Sequence, residues 1–369
     1  METKIKYTTT PIIGEYDYVG EFREGLALVR NNIAPIEKRR LGFIDKTGRL
    51  VIPLELYDGP EELPTARMQY RFNEGLSAVL KGDRCGFMDK TGEIVIPAEY
   101  DSVSFFSEGL AAVNKGGKWG YINKAGEIAI PLEYDSIGNF SEGYAPAAKN
   151  GQKGYIDKEG KTVIALGSEY EQMGDFHEGF AEVRTGRVEL PTVPRLENES
   201  DEDWIKRLAA ANEKAWSNAR YGYIDKTGKV VVPVEYSGTI GFCEGLASMR
   251  KDGKWSYVDK TGSTVLKVDY DNARNFSEGF AWVEKNNKWG CIDKTGEIVI
   301  PLGYAAYYYD SFKNGVSIAI RHWDTQKKGI IDKSGQTVVP FEYDILYAGQ
   351  DGLYTARKDG MWEILEIIA

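Results

Sequence analysis

The sequence predicts an all-β protein built from tandem copies of one unit of 34 residues, and three observations carry that prediction. The text Phe106-Ser-Glu-Gly-Leu-Ala-Ala-Val returns as Phe276-Ser-Glu-Gly, and with drift at Phe22, Phe72, Phe140, Phe176, Phe242 and Phe312. The glycine after its acidic position recurs at Gly25, Gly75, Gly109, Gly143, Gly179, Gly245, Gly279, Gly315 and Gly352, so about nine copies fill residues 1–369 as a single array. The chain also holds 41 Gly and 23 Tyr, a pairing suited to short strands joined by tight turns.

Each copy reads as a three-stranded meander. The first strand is Gly-Leu-Ala-x-Val, as in Gly109 to Val113. A turn such as Lys115-Gly116-Gly117-Lys118, Lys251-Asp252-Gly253-Lys254 or Lys285-Asn286-Asn287-Lys288 follows, with residues that tolerate the positive φ of a type I′ hairpin. The second strand is Lys-Trp-Gly-Tyr-Ile-Asp, where Trp119 and Tyr121 share one face. Asp-Lys-Thr-Gly then supplies a type I turn with a left-handed glycine. The third strand, Glu-Ile-Val-Ile-Pro, is expected to end at its proline, which cannot donate to a ladder. A Glu-Tyr-Asp connection leads to the next copy.

Two segments break the period. Residues 187–219 lengthen the fifth copy, so that Gly179 and Gly245 lie 66 apart instead of 34. Ser200 as cap, an acidic first turn, and Trp204, Leu208, Ala211 and Ala215 on one face predict a helix over about 200–217. The second break, Pro60 to Arg71, reads as a surface loop.

Phe-x-Glu-Gly-Leu-Ala, Lys-Trp-Gly-Tyr-Ile-Asp-Lys-Thr-Gly and Ile-Val-Ile-Pro-x-x-Tyr-Asp together resemble the bacterial WG-repeat, or KWG-repeat, family over residues 11–369. Trp fills the signature position at Trp119, Trp255, Trp289 and Trp362, while Leu41, Cys85, Lys153, Tyr221 and Lys328 replace it elsewhere. Ser256 and Glu363 replace the neighbouring glycine. The resemblance implies a repeat scaffold and no catalytic residues.

A single meander cannot bury its apolar face, so neighbours must stack. Units shorter than ordinary propeller blades, and nine in number, favour an open solenoid or superhelical array. A closed β-propeller-like ring is the alternative, because the chain starts and stops mid-unit and the fragments Ile12–Asp17 and Trp362–Leu365 would complete one blade.

A net charge of −10 and a pI of 5.1 disfavour nucleic acid as partner. No run of 18 apolar residues is present to span a membrane, and no apolar leader follows Met1, so the expected location is cytoplasmic, with envelope association open. Cys85, Cys243 and Cys291 lie far apart and read as reduced packing residues. His177 and His322 lack an evident partner for acid–base work, and neither a metal cluster nor a phosphate loop is visible. The periodic Glu is expected to order its turn or to pair with a Lys of the adjacent unit.

The functional expectation is therefore a non-catalytic scaffold that needs no cofactor and binds a protein partner. Glycan or cell-envelope binding through aromatic loops is the alternative. Candidate contact residues are those that escape the period: Tyr307, Tyr308, Tyr309 and Trp323 in irregular loops, and Trp204 and Trp216 in the insertion.

Overall fold

The computed structural model describes residues 5–31, 40–53, 70–188, 192–196, 199–307 and 311–368. The repeats fold as a closed nine-bladed β-propeller, which overturns the expectation of an open array. Blades one to nine take residues 18–52, 77–100, 102–134, 136–166, 170–236, 238–267, 272–304, 306–343 and 345–368. Eight of the sheets have four strands and the second has three among the described residues.

The ring closes because the ninth sheet is shared by both ends of the chain. Lys6–Pro11 pairs antiparallel along the whole of its length with Met361–Ile368, from Lys6 opposite Ile368 to Pro11 opposite Glu363. The ninth blade then docks on the first. Gln350 N donates to Phe22 O at 2.9 Å, Thr355 Oγ1 to Gly20 O at 3.1 Å and Trp362 Nε1 to Tyr16 O at 3.0 Å. Val19, Phe22, Val29, Leu353, Trp362 and Ile364 form one buried cluster across that junction.

The three-strand reading of the unit is corrected as well. The stretch after Glu-Tyr-Asp is itself a short inner strand, such as Ser102–Val103, paired with Leu110–Lys115. Asp101 N and Ser104 N also donate to Asn114 O and Ala112 O, so this connection is a full member of the ladder. The outer strand does not end at its proline either. Ile128–Tyr134 runs through Pro131 to set Tyr134 opposite Trp119, with register shifts on either side of Tyr121. A proline is tolerated there because it sits in a bulge of an edge strand.

Each hairpin turn has the chemistry its sequence implies. Asp252 and Gly253 have φ of 52° and 76°, as a type I′ turn demands. In Asp-Lys-Thr-Gly, the Asp45 carboxylate accepts from Thr47 N at 2.8 Å, Thr47 Oγ1 at 2.6 Å and Arg49 N at 3.2 Å.

Blades pack through a ladder of aromatic pairs. The Tyr or Phe of the third strand meets the Phe of the next blade's inner turn: Phe87 with Phe106, Tyr121 with Phe140, Tyr155 with Phe176 and Tyr257 with Phe276, at centroid separations of 4.7–4.8 Å. The tyrosine hydroxyl reaches past the ring, Tyr121 to Gly138 O at 2.7 Å and Tyr155 to Gly174 O at 2.9 Å. Cys291 replaces this tyrosine in the seventh blade, where Trp282 stacks on Phe312 at 6.2 Å. Burial pushes the Cys291 thiol well above its ordinary range. Cys85 and Cys291 are buried, and all three cysteines are free thiols.

The insertion leaves the fifth blade between Phe180–Thr185 and Arg220–Asp225. Its helix spans Asp201–Trp216, with the Ser200 hydroxyl accepting from Asp203 N at 3.1 Å. The expected loop at Pro60 to Arg71 lies outside the described residues except for its last two positions, Tyr70 and Arg71.

Candidate functional site

The Phe-x-Glu-Gly turns follow one another round the ring as an inner rim, each reaching the turn of the next blade. Their acidic residues all adopt the left-handed conformation, from φ of 49° at Glu24 to 54° at Glu108, and the following glycines reach 83–89°. Asn or Gly would suit this turn better than Glu. Glutamate is used because its carboxylate clasps the next blade. Glu142 accepts from Gly179 N at 3.0 Å and pairs with Lys226 Nζ at 3.1 Å, and Lys226 also donates to the Glu142 carbonyl. Glu24 with Lys90, Glu108 with Lys158, Glu178 with Lys260, Glu244 with Lys294 and Glu278 with Lys333 repeat the arrangement. Burial acts to raise the Glu142 carboxyl, yet the Lys226 ammonium and the Gly179 N–H together hold it below its ordinary value. The periodic carboxylates are thus engaged in holding blades together.

The clasp lapses at the last two blades, where Asn314 and Asp351 replace Glu. There the rim opens into a cavity of about 680 Å³ lined from five blades, with Glu21, Arg23, Glu278, Lys313, Gln350 and Asp351 among its walls. Gln350 Oε1 accepts from Glu24 N at 2.9 Å in place of a carboxylate clasp.

A second cavity, of about 540 Å³, lies between blades three and four on the inner-strand side. Its walls are Ala112, Asn114 and Trp119 of blade three against Ile137, Gly138 and Asn139 of blade four, with Ser102, Ser104 and Phe105 beside them. The cavity exists because Ala112 and Asn114 are small. Glu182 and Arg184, Ser248 and Arg250, and Trp282 and Glu284 occupy the corresponding places in blades five to seven.

Blade five carries two half-buried acids, Asp175 and Glu182. Burial raises the Asp175 carboxyl above its ordinary range against the opposing pull of His177, and burial likewise raises Glu182 against Arg184. A raised folded-state value means that stability falls as pH climbs from the ordinary carboxylate range through the raised one. Glu24, Glu142, Glu178 and Glu278, held low, contribute the opposite dependence, lost as pH drops through their lowered values. Asn139 and Asn275 fill the place of Asp175 in blades four and seven. Asp175→Asn should therefore raise stability by roughly 1 kcal/mol at pH 7 and leave it unchanged at pH 4, as read by urea denaturation at the two pH values. An equal effect at both pH values would contradict a carboxylate penalised by burial.

The residues singled out from sequence do not converge. Trp204 is half-buried, its indole N–H donating to Val193 O at 3.1 Å. Trp216 is 41% exposed, with the Arg184 guanidinium 5.4 Å from its ring centroid. Trp323 is 57% exposed in a turn of the eighth blade, three blades away from the insertion. The backbone of Tyr307 pairs with Ala319, while its side chain and all of Tyr308 and Tyr309 lie outside the described residues. Sequence reasoning missed the cavity at Trp119. Its only signal is a pair of small residues in the most regular copy.

The sequence pattern described as WG containing repeat matches residues 11–32, 42–59, 86–119, 119–152, 154–187, 221–255, 255–289, 289–320 and 329–362. No curated protein matches the chain. Among solved structures it is similar to one described as the crystal structure of the eukaryotic initiation factor, at 10% identity and a TM-score of 0.53, over 96% of this chain and 89% of that one. It is also similar to the Dos1 propeller, at 10% identity and a TM-score of 0.43, over 99% and 95% of the two chains. A streptogramin B lyase structure shares 14% identity at a TM-score of 0.35, over 72% of this chain and 92% of that one. At these identities the likeness concerns fold alone.

Proposed function

The chain belongs to the WG-repeat family, and we propose that this nine-bladed member is a non-catalytic scaffold that binds a protein partner through the insertion of its fifth blade. The observation that carries this reading is a set of three apolar side chains left in solvent on one excursion from an otherwise regular ring. Leu196 and Ile205 are each 57% exposed and Trp216 is 41% exposed. Large apolar groups concentrated on one surface element mark contact sites more often than scattered ones do.

The insertion is also built to hold its shape. The Arg207 guanidinium meets the Glu199 carboxylate at 2.6 Å. Together with Leu196 N it holds that carboxyl down to about 2. A preformed element loses less entropy on binding than a disordered one. The non-catalytic reading is supported by the repeated acids, since the Glu clasps and the Asp turns are occupied by backbone and lysine partners. A cytoplasmic location is part of the proposal, supported by three cysteines that remain thiols. Among the described residues no helix is long and apolar enough to cross a membrane.

A photo-crosslinking side chain in place of Ile205 should capture one discrete protein in cells, and the same probe in place of Val163, on the outer strand of blade four, should not. The Leu196→Ser/Trp216→Ser variant should abolish that adduct while the ring keeps its melting temperature. Equal labelling at both probe positions would sink the assignment of the insertion as the contact surface.

A further inference from the structure

We propose that the cleft between blades three and four is a binding site for a neutral saccharide, with Trp119 as the surface on which a sugar ring stacks. The argument starts from what the signature position does elsewhere. Trp255 Nε1 donates to Asp271 O at 3.2 Å and Trp362 Nε1 to Tyr16 O at 3.0 Å, each reaching the carbonyl that opens the next blade. Three of the five residues that replace tryptophan, though not Leu41 or Tyr221, keep the donor. Lys153 Nζ reaches Tyr170 O at 2.9 Å, Lys328 Nζ reaches Asp344 O at 2.6 Å and Cys85 Sγ approaches Asp101 O at 3.9 Å. Trp119 does not follow this rule. Its indole is half-buried where Trp255 and Trp362 are buried, and its N–H has no hydrogen-bond partner among the described residues.

What Trp119 faces is a cavity of about 540 Å³, within the roughly 300–1,000 Å³ typical of small-molecule sites. The Ser102 hydroxyl and the Asn139 amide line the same space and likewise lack partners among the described residues. An indole face beside unpaired hydroxyl, amide and N–H groups matches a ligand with one apolar face and a hydroxylated rim, which describes a pyranose. The charge of the ligand follows from the walls. Among the described residues Asp101 is the one charged residue lining the cavity, and its carboxylate is occupied by the Arg84 guanidinium and by Gly116 N. No counter-charge remains for an anion or a cation, so a neutral ligand is specified.

Two variants test the site, at Ala112, which is buried in the core shared by blades three and four, and at Trp119, which packs against that core. Leu28 fills the place of Ala112 in the first blade, so Ala112→Leu is compatible with the fold and closes the cavity. Trp119→Lys restores the donor seen at Lys153 and removes the stacking face. Titration calorimetry with maltose, cellobiose, lactose and N,N′-diacetylchitobiose should give saturable binding of at least one. Both variants should weaken that binding about tenfold or more, with melting temperatures preserved. In the wild type, the Trp119 indole N–H resonance, assigned by its loss in Trp119→Lys, should shift on addition of the same sugar. Absence of binding across the four sugars, or binding that survives Ala112→Leu, overturns the proposal.

Discussion

Replacing Gly120 with valine should destabilise the protein by about 3 kcal/mol or more, a large effect for one surface-distant glycine. A Cβ at this position would lie 2.5 Å from Ile130 O and 2.7 Å from Pro131 C, and both belong to backbone that cannot swing aside. Gly290 meets Ile300 O at the same 2.5 Å. At Gly120 a bulge in the outer strand brings the proline segment down onto the third strand between the Trp119–Tyr134 and Tyr121–Ile130 pairs. Gly154 of blade four keeps the constraint without that bulge, pairing directly with Ala165 while a Cβ there would still meet Ile164 O. Blade six is where the constraint is relaxed. Ser256 stands there in place of glycine, the outer strand is only Thr264–Lys267, and Ser256 pairs directly with Lys267. Ser256→Ala should accordingly shift the urea midpoint very little, and Gly120→Val should lower it sharply. Equal midpoints for Gly120→Val and wild type would remove this account of the signature glycine.

Deleting residues 1–11 should cost about 3–5 kcal/mol, because it strips an entire strand from the sheet that closes the ring. Lys6–Pro11 supplies six consecutive pairs to Met361–Ile368, and Ile5 and Tyr7 pack on the cluster formed by Val316, Tyr343, Tyr354 and Ile367. Blade nine touches blades eight and one, so its loss leaves two blade faces uncovered. The expected result is a lower midpoint and a broader transition, both recovered when a synthetic peptide of residues 1–12 is added in excess. A deletion variant as stable as the full chain would mean that closure contributes nothing.

The turns and the repeat were legible because they are local. Asp-Gly and Asn-Asn demand positive φ, and Asp45 must reach Thr47 and Arg49 within one turn, so the residues themselves carry the geometry. The pairing of the periodic Glu with a lysine of the adjacent unit was also readable. The inner strand was not, since in several blades it is only two residues long, such as Ser102–Val103 and Ser136–Ile137, and carries no alternation to read. Closure was read only as the alternative, from the terminal fragments Ile12–Asp17 and Trp362–Leu365, and the strand that completes the shared blade is instead Lys6–Pro11. Lys6 and Ile368 pair across nearly the whole chain, and nothing in either segment names the other. The proline misled because its missing N–H suggests a strand end, whereas the bulge lets the strand continue. The cavity at Trp119 was invisible because it depends on what Ala112 and Asn114 lack, which a consensus reads as conformity.

The claim that the repeats close into a ring is tested most directly by joining its two ends. Thr8 and Glu366 are opposed across the closing pair, and both side chains are exposed. Opposed residues of an antiparallel pair lie about 4.5–5.5 Å apart at Cα, within the roughly 4.4–6.8 Å that a disulfide spans. In the Thr8→Cys/Glu366→Cys variant, mild oxidation of dilute protein should yield a monomer cross-linked within one chain, identified by mass after proteolysis. Failure to form that intrachain link, with cross-linking only between molecules, would contradict a closed propeller.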